Sequence, residues 1–164
     1  MRVLGVDPGT IKLGYAVVDG ADDLQMVDCG VLNLRSRTSV GERLRSVYEK
    51  LNAVIAQHHP DEAAIEEPFV GHNIRSALAI GRAQAVATLA AANQGLPVYY
   101  YSPARIKQQV AGHGGSDKEQ IQEMVRIQLG LLYPPQPSDA ADALAVAICH
   151  IQHGRLNRWL ADRR

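Results

Sequence analysis

The sequence predicts an α/β fold in which a five-stranded mixed sheet, three antiparallel strands and then parallel ones, is flanked by helices. Three observations predict it. Two apolar runs stand back to back near the start, Val3 to Asp7 and Leu13 to Val18, broken by Pro8-Gly9. A third run, Leu24 to Leu34, follows the turn Gly20-Ala21-Asp22-Asp23, so the first three strands meander as an antiparallel edge. Beyond them, helix and strand signals alternate, which is the pattern of parallel pairing with helical crossovers. A chain of 164 residues suits one domain with a single sizeable core. That domain is expected over residues 1–153, with a basic, loosely held tail over 154–164.

Each element has a local cause. Pro8 cannot donate to a sheet ladder and Gly9 tolerates positive φ, so the pair marks the turn between the first two strands. Arg35 to Ser39 is a polar connection, and Thr38 or Ser39 is placed to cap a helix running to about His58. In that helix Leu44, Val47, Leu51, Val54 and Ile55 recur at helical spacing. Pro60 ends it, and Glu62 to Glu66 is a short apolar strand stopped by Pro68. Asn73 to about Asn93 reads as a long helix whose Ala77, Gly81, Ala85, Thr88 and Ala92 form a small-residue face. Val98 to Tyr101 is the fifth strand, and Ser102-Pro103 opens a short basic helix carrying Arg105 and Lys107. After the loop Gly112-His113-Gly114-Gly115, Ser116-Asp117-Lys118-Glu119 reads as a capping box. Backbone N–H groups at that helix start are placed to hold a phosphate. Ser138 is expected to cap a last helix from about Asp139 to His153.

Composition narrows the function classes. No apolar run approaches the length of a membrane span, and no secretory cleavage pattern follows Arg2. Cys29 and Cys149 stand alone, without a disulfide framework or a paired-cysteine metal motif, which suits a reducing cytoplasm. Cys149, His150 and His153 lack the four spaced ligands of a zinc site, and the two histidines suit a helix C-terminus. Charge is balanced, with 17 basic and 17 acidic residues, so any phosphate binding must come from a local patch.

The carboxylates carry the chemistry. Asp7 ends the first strand, either capping its own turn or serving a site, and Glu66-Glu67 ends the fourth. Asp139 and Asp142 open the last helix, and their spacing of three puts them on one face, roughly 5–6 Å apart at Cβ. Singly, each acid has an ordinary explanation: a turn, a helix dipole or a surface ion pair. Jointly, four acids in one place repel one another unless a cation sits among them. A cluster of hard oxygens suits Mg²⁺ or Mn²⁺. Two such ions about 3.5–4 Å apart are a known arrangement for in-line attack on a phosphodiester. Neighbouring strand residues face opposite ways, so only one of Glu66 and Glu67 can face Asp7.

Asp7-Pro8-Gly9, Ile65-Glu66 followed by Phe69, and Asp139-Ala140-Ala141-Asp142-Ala143-Leu144-Ala145 together resemble the RuvC family of Holliday-junction resolvases. The likeness runs from residue 1 to about 153. It implies an RNase H-like fold and a homodimer that nicks two strands of like polarity in a four-way DNA junction. It implies a Mg²⁺ site, with Mn²⁺ as substitute, of Asp7, Glu66, Asp139 and Asp142, and so selects Glu66 over Glu67. Phe69, the only Phe, becomes a residue that stacks on an unpaired base rather than an ordinary core residue. The likeness sets Asn73, Lys107 and Lys118 near the DNA, together with His72, which stands where relatives are expected to carry Lys or Arg; Arg75 and Arg82 are the two candidates to compensate for it on the DNA. The small-residue helix face becomes the dimer contact, with burial against its own sheet as the alternative. A RuvA–RuvB branch-migration complex is the implied partner. Three rivals remain: a YqgF-type nuclease, a sugar-kinase-like phosphate binder and a junction-binding module without catalysis. The paired helix acids, the chain length and the intact carboxylates, respectively, argue against them.

Overall fold

The computed structural model describes residues 1–34, 38–67 and 73–161. Its elements are β1 (Arg2–Pro8), β2 (Lys12–Asp19), β3 (Gln25–Asn33), α1 (Val40–His58), β4 (Glu62–Glu66), α2 (Ile74–Asn93), β5 (Val98–Tyr101), α3 (Pro103–Ala111), α4 (Lys118–Gln128) and α5 (Ser138–Ala161). The strands lie in the order β3-β2-β1-β4-β5. β1 pairs antiparallel with β2, and β2 with β3, while β1–β4 and β4–β5 are parallel. The mixed sheet of the expectation is therefore present, with β1 and β4 as neighbours at its centre. No helix among the described residues is long and apolar enough to cross a membrane.

Strand alternation divides the core into two layers. Val3, Ala16, Val18, Ala64 and Tyr101 face α3, α4 and α5. Leu4, Val6, Leu13, Tyr15, Val17, Ala63 and Ile65 face α1 and α2. α5 lies tight on the first face because two strand positions there have no side chain. A Cβ at Gly5 would overlap the carbonyl oxygen of Ala143, and one at Gly14 would overlap that of Asp139. Ala140, Ala143, Ala147 and their neighbours complete the close approach, and all three are buried.

Helix ends follow capping chemistry, with departures from the sequence signals at α4 and at α5, where Ser138 is the first helical residue rather than the residue before the helix. Ser39, not Thr38, caps α1: the Glu42 N–H donates to its Oγ (3.3 Å) and its own N–H donates to the Glu42 carboxylate (2.8 Å). His59 closes that helix in the left-handed region, with φ 47°. At α4 the capping box is shifted by one residue. Asp117 accepts from the Gln120 N–H at 2.8 Å, and Ser116 instead buries its hydroxyl on the His113 carbonyl at 2.8 Å. A carboxylate thus takes the helix start where a phosphate was expected.

α5 also runs further than expected. The sequence signals end it near His153 ahead of a loose tail, but the helix continues to Ala161. Gly154 costs a helix only about 1 kcal/mol. Arg155 repays that by donating to the carbonyls of Gly20 and Asp22 at 3.1 and 2.8 Å. His150 and His153 are consequently mid-helix and do not complement a C-terminus. His150 is buried, with Nδ1 on the Tyr101 hydroxyl (2.7 Å) and Nε2 on Glu62 (2.5 Å).

Candidate active site

Side-chain parity decides what the sheet offers to α5. On β1, Val3 and Gly5 face that helix, so Asp7 does too. On β4, Ala64 faces it, and Glu66 follows two residues on. Val6 pairs with Ile65 across the two strands, so Asp7 and Glu66 leave the sheet side by side. Glu67 has the parity of Ala63 and Ile65 and lies on the other face, in a groove with Gln84, Thr88 and Tyr100. The ambiguity between the two glutamates is resolved by pairing register, in favour of Glu66.

α5 supplies the third carboxylate. Gly14 pairs with Asp7 across β1 and β2 and allows the helix backbone at Asp139 onto the strand. One turn later, Asp142 joins Asp7 and Glu66 around a cavity of about 250 Å³. Pro103, Ile106, Ile121 and Ala145 form its apolar walls, and Lys107 and Lys118 its cationic ones. Asp139 stands just outside, and its carboxylate pairs with Lys12 at 3.7 Å. Asp142 accepts a hydrogen bond from the Lys118 ammonium at 2.8 Å.

The electrostatics are those of anions held together at a cost. Burial, then Asp142 and Asp139, push the Asp7 carboxyl up to about 7, against the pull of Lys118. Burial, then Asp7 and Asp142, push Glu66 up to about 8, against Lys107 and Lys118. Lys118 itself is opposed by burial, but its hydrogen bond to Asp142 and the surrounding carboxylates win, and its ammonium is stabilised.

This donor set fits a hard divalent cation. It is all carboxylate oxygen, and two of its members are raised by burial first and by neighbouring acids second, both of which a cation would offset. Among the described residues, no three Asp, Glu, His or Cys side chains are gathered tightly enough to hold an ion as they stand. Ammonium groups stand beside two of the acids: Lys118 is hydrogen-bonded to Asp142, and Lys12 lies 3.7 Å from Asp139.

The remaining sequence candidates are more scattered. Asn73 caps α2, with its Oδ1 accepting from the Ser76 N–H at 3.2 Å, and Arg75 is exposed on the first turn. Phe69 and His72 lie outside the described residues. Lys12 was missed by sequence reasoning, although its parity with Gly14 and Ala16 was a signal that it faces α5.

Comparison with known proteins now decides the family. The model of the RuvC family, described as crossover junction endodeoxyribonuclease RuvC, matches residues 3–150. This chain belongs to the RuvC family. RuvC of Dehalococcoides mccartyi is 55% identical over 93% of both chains, and RuvC of a Roseiflexus species is 48% identical over 99% of this chain and 98% of its own. The structure of Thermus thermophilus RuvC in complex with Holliday junction substrate superposes with TM-score 0.90 at 36% identity, covering 96% of each chain. The sheet order and flanking helices are accordingly those of an RNase H-like nuclease. RuvC enzymes are metal-dependent, which agrees with the oxygen-only donor set described above.

Proposed function

We propose that this chain resolves Holliday junctions, nicking two strands of like polarity at symmetric positions and leaving 5′-phosphate and 3′-hydroxyl ends. The observation that carries the reading is the convergence of Asp7, Glu66 and Asp142 in one open cavity walled by Lys107 and Lys118. A phosphodiester is an anion, and a carboxylate cavity repels it unless cations intervene. Asp7, Glu66, Asp139 and Asp142 would hold two Mg²⁺ ions, or Mn²⁺ in their place, which supply Lewis-acid stabilisation of the phosphate and a water acidic enough to attack it.

The chain's own residues do the rest. Lys107 and Lys118 hold phosphate oxygens as point charges and orient the scissile bond. Pro103, Ile106 and Ile121 keep bulk water from the cavity wall and so strengthen every charge interaction inside it. Asp7 and Glu66, fixed on central strands, keep their positions without reorganisation when substrate arrives. Phe69, His72, Asn73 and Arg75, at or just before the start of α2, are assigned to the junction strands around the cavity.

The same reading makes the protein a homodimer acting in the cytoplasm with a RuvA–RuvB complex. The face of α2 assigned to the dimer is open in this chain. Ala83, Ala87, Ala90 and Ala91 are the residues α2 buries on its own sheet. Ile74, Ala77, Leu78, Gly81 and Ala85 instead line an apolar surface groove. A twofold axis through that groove would set two carboxylate cavities on opposite arms of a pseudo-twofold junction.

The test is cleavage of a synthetic mobile four-way junction beside linear duplex of the same sequence, with Mg²⁺, with Mn²⁺ and with EDTA. Paired symmetric nicks in the junction alone, dependent on metal, are expected. Equal cutting of the duplex would remove the junction assignment.

A further inference from the structure

We infer that Lys12 is a place-holding cation for Asp139 that becomes a phosphate contact when Asp139 takes a divalent ion. The inference rests on the junction-cleaving reading above.

Lys12 is placed by construction. It opens β2, and Lys12, Gly14, Ala16 and Val18 share the strand face that meets α5. Gly14 brings the Asp139 backbone onto that strand, which sets the Lys12 side chain beside the Asp139 carboxylate. The turn before it is tightly fixed. A Cβ at Gly9 would overlap the Lys12 carbonyl oxygen, and the Ile11 carbonyl accepts from the Leu34 N–H at 2.6 Å. The lysine therefore reaches Asp139 from a firm base.

The two lysine–aspartate pairs at the site differ in kind. Lys118 donates a hydrogen bond to Asp142 at 2.8 Å. Lys12 sits 3.7 Å from Asp139, beyond hydrogen-bond range, and the side chains are 44% and 29% exposed. An exposed, non-bonded ion pair is weak and exchanges readily. A divalent ion on Asp139 outcompetes one ammonium for the same oxygens and repels it, so Lys12 is released toward solvent at the cavity rim. Lys107 and Lys118 stand on the α3 and α4 side of the cavity, whereas Lys12 stands on the β2 side. A DNA strand crossing the carboxylates would then meet cations on both flanks. The consequence is ordered assembly: metal first makes the rim more cationic, and phosphate binding follows.

The experiment is junction binding by fluorescence anisotropy across a salt series, in Ca²⁺ and in EDTA, for wild type, Lys12→Gln, Lys12→Arg, Asp139→Asn and the Lys12→Gln/Asp139→Asn double variant. Junction integrity is checked on a gel after each titration. In Ca²⁺, Lys12→Gln is expected to bind about fivefold more weakly. Its log–log salt slope should fall by about one, the signature of one lost phosphate contact. Lys12→Arg should retain both. In EDTA the Lys12→Gln loss should be clearly smaller than in Ca²⁺, because the Asp139 carboxylate then offsets part of the lysine's charge. Asp139→Asn should bind more tightly than wild type in EDTA, and the double variant should lose that gain. The inference is overturned if Lys12→Gln binds as wild type in Ca²⁺, if its loss is the same in EDTA, or if the Asp139→Asn gain survives in the double variant. Failure of wild type itself to prefer junction over duplex would instead overturn the junction reading.

Discussion

Asp7 and Glu66 show how a carboxylate can be kept where it does not want to be charged. Their ordinary values of 3.8 and 4.5 are raised to about 7 and about 8, by burial first and by neighbouring acids second. Both groups hold protons in the folded state at pH values where the unfolded chain has lost them. Their contribution to stability is therefore complete below about pH 4 and drains as pH rises through about 7 to 8. Metal-free protein is expected to show a Tm that falls over that window. Asp7→Asn should flatten the fall and raise Tm at pH 8, and saturating Mg²⁺ should raise the wild-type Tm most at the same pH. A wild-type Tm that is level or rising from pH 5 to pH 8 in EDTA would contradict the clustering of charge. The same Asp7→Asn change should lower junction cleavage by at least about a thousandfold while leaving junction binding intact. Normal cutting by Asp7→Asn would mean the chemistry is elsewhere.

The decisive element is α5, because it carries two acids to a place that two strands have already prepared. Its approach depends on Gly5 and Gly14, where an added methyl would meet helix carbonyl oxygens rather than a yielding side chain. Gly14→Ala is expected to cost about 1–3 kcal/mol, the usual penalty of overpacking. In a domain of this size each kcal/mol lowers Tm by about 2–4 °C. Its effect on cleavage should exceed its effect on junction binding, since it displaces Asp139 and Asp142 and leaves Lys107 and Lys118 in place. Thermal melts and single-turnover cleavage on the same preparation separate the two. Equal losses in binding and cleavage would show that the helix position matters only to the fold.

At the scale of the whole molecule, the carboxylate cavity and the apolar groove of α2 occupy different surfaces. The cavity opens at the ends of β1 and β4, whereas Ile74 and Leu78, 75% and 54% exposed, stand on the outer face of α2. Large apolar side chains in a continuous exposed groove are the mark of an interaction surface. Leu78→Asp is expected to give a monomer in sedimentation velocity with an unchanged far-UV circular dichroism spectrum, since the side chain packs little against its own domain. Paired nicks should give way to single, unpaired ones on the same junction. A Leu78→Asp protein that remains dimeric would move the interface off α2.

The amino-acid sequence by itself determined the order of elements and the mixed sheet, and it marked Asp7, Asp139, Asp142 and one of Glu66 and Glu67 as candidate acids. Those depend on local signals: the apolar run from Val3 to Asp7, helical spacing in α1, Ser102-Pro103 at the start of α3, and carboxylates at chain breaks. The family likeness added a substrate that no such signal contains. Other features were legible only in three dimensions. Which glutamate faces Asp7 was fixed by the pairing of Val6 with Ile65, a contact between distant segments. The length of α5 was set by Arg155 reaching Gly20 and Asp22, which no pattern in the last thirty or so residues announces. The role of Gly14 and the pairing of Lys12 with Asp139 likewise exist only once β2 and α5 are stacked. Sequence patterns record what a residue does with its neighbours in the chain. Register, close approach and charge pairing are properties of neighbours in space, and tertiary structure alone decides them.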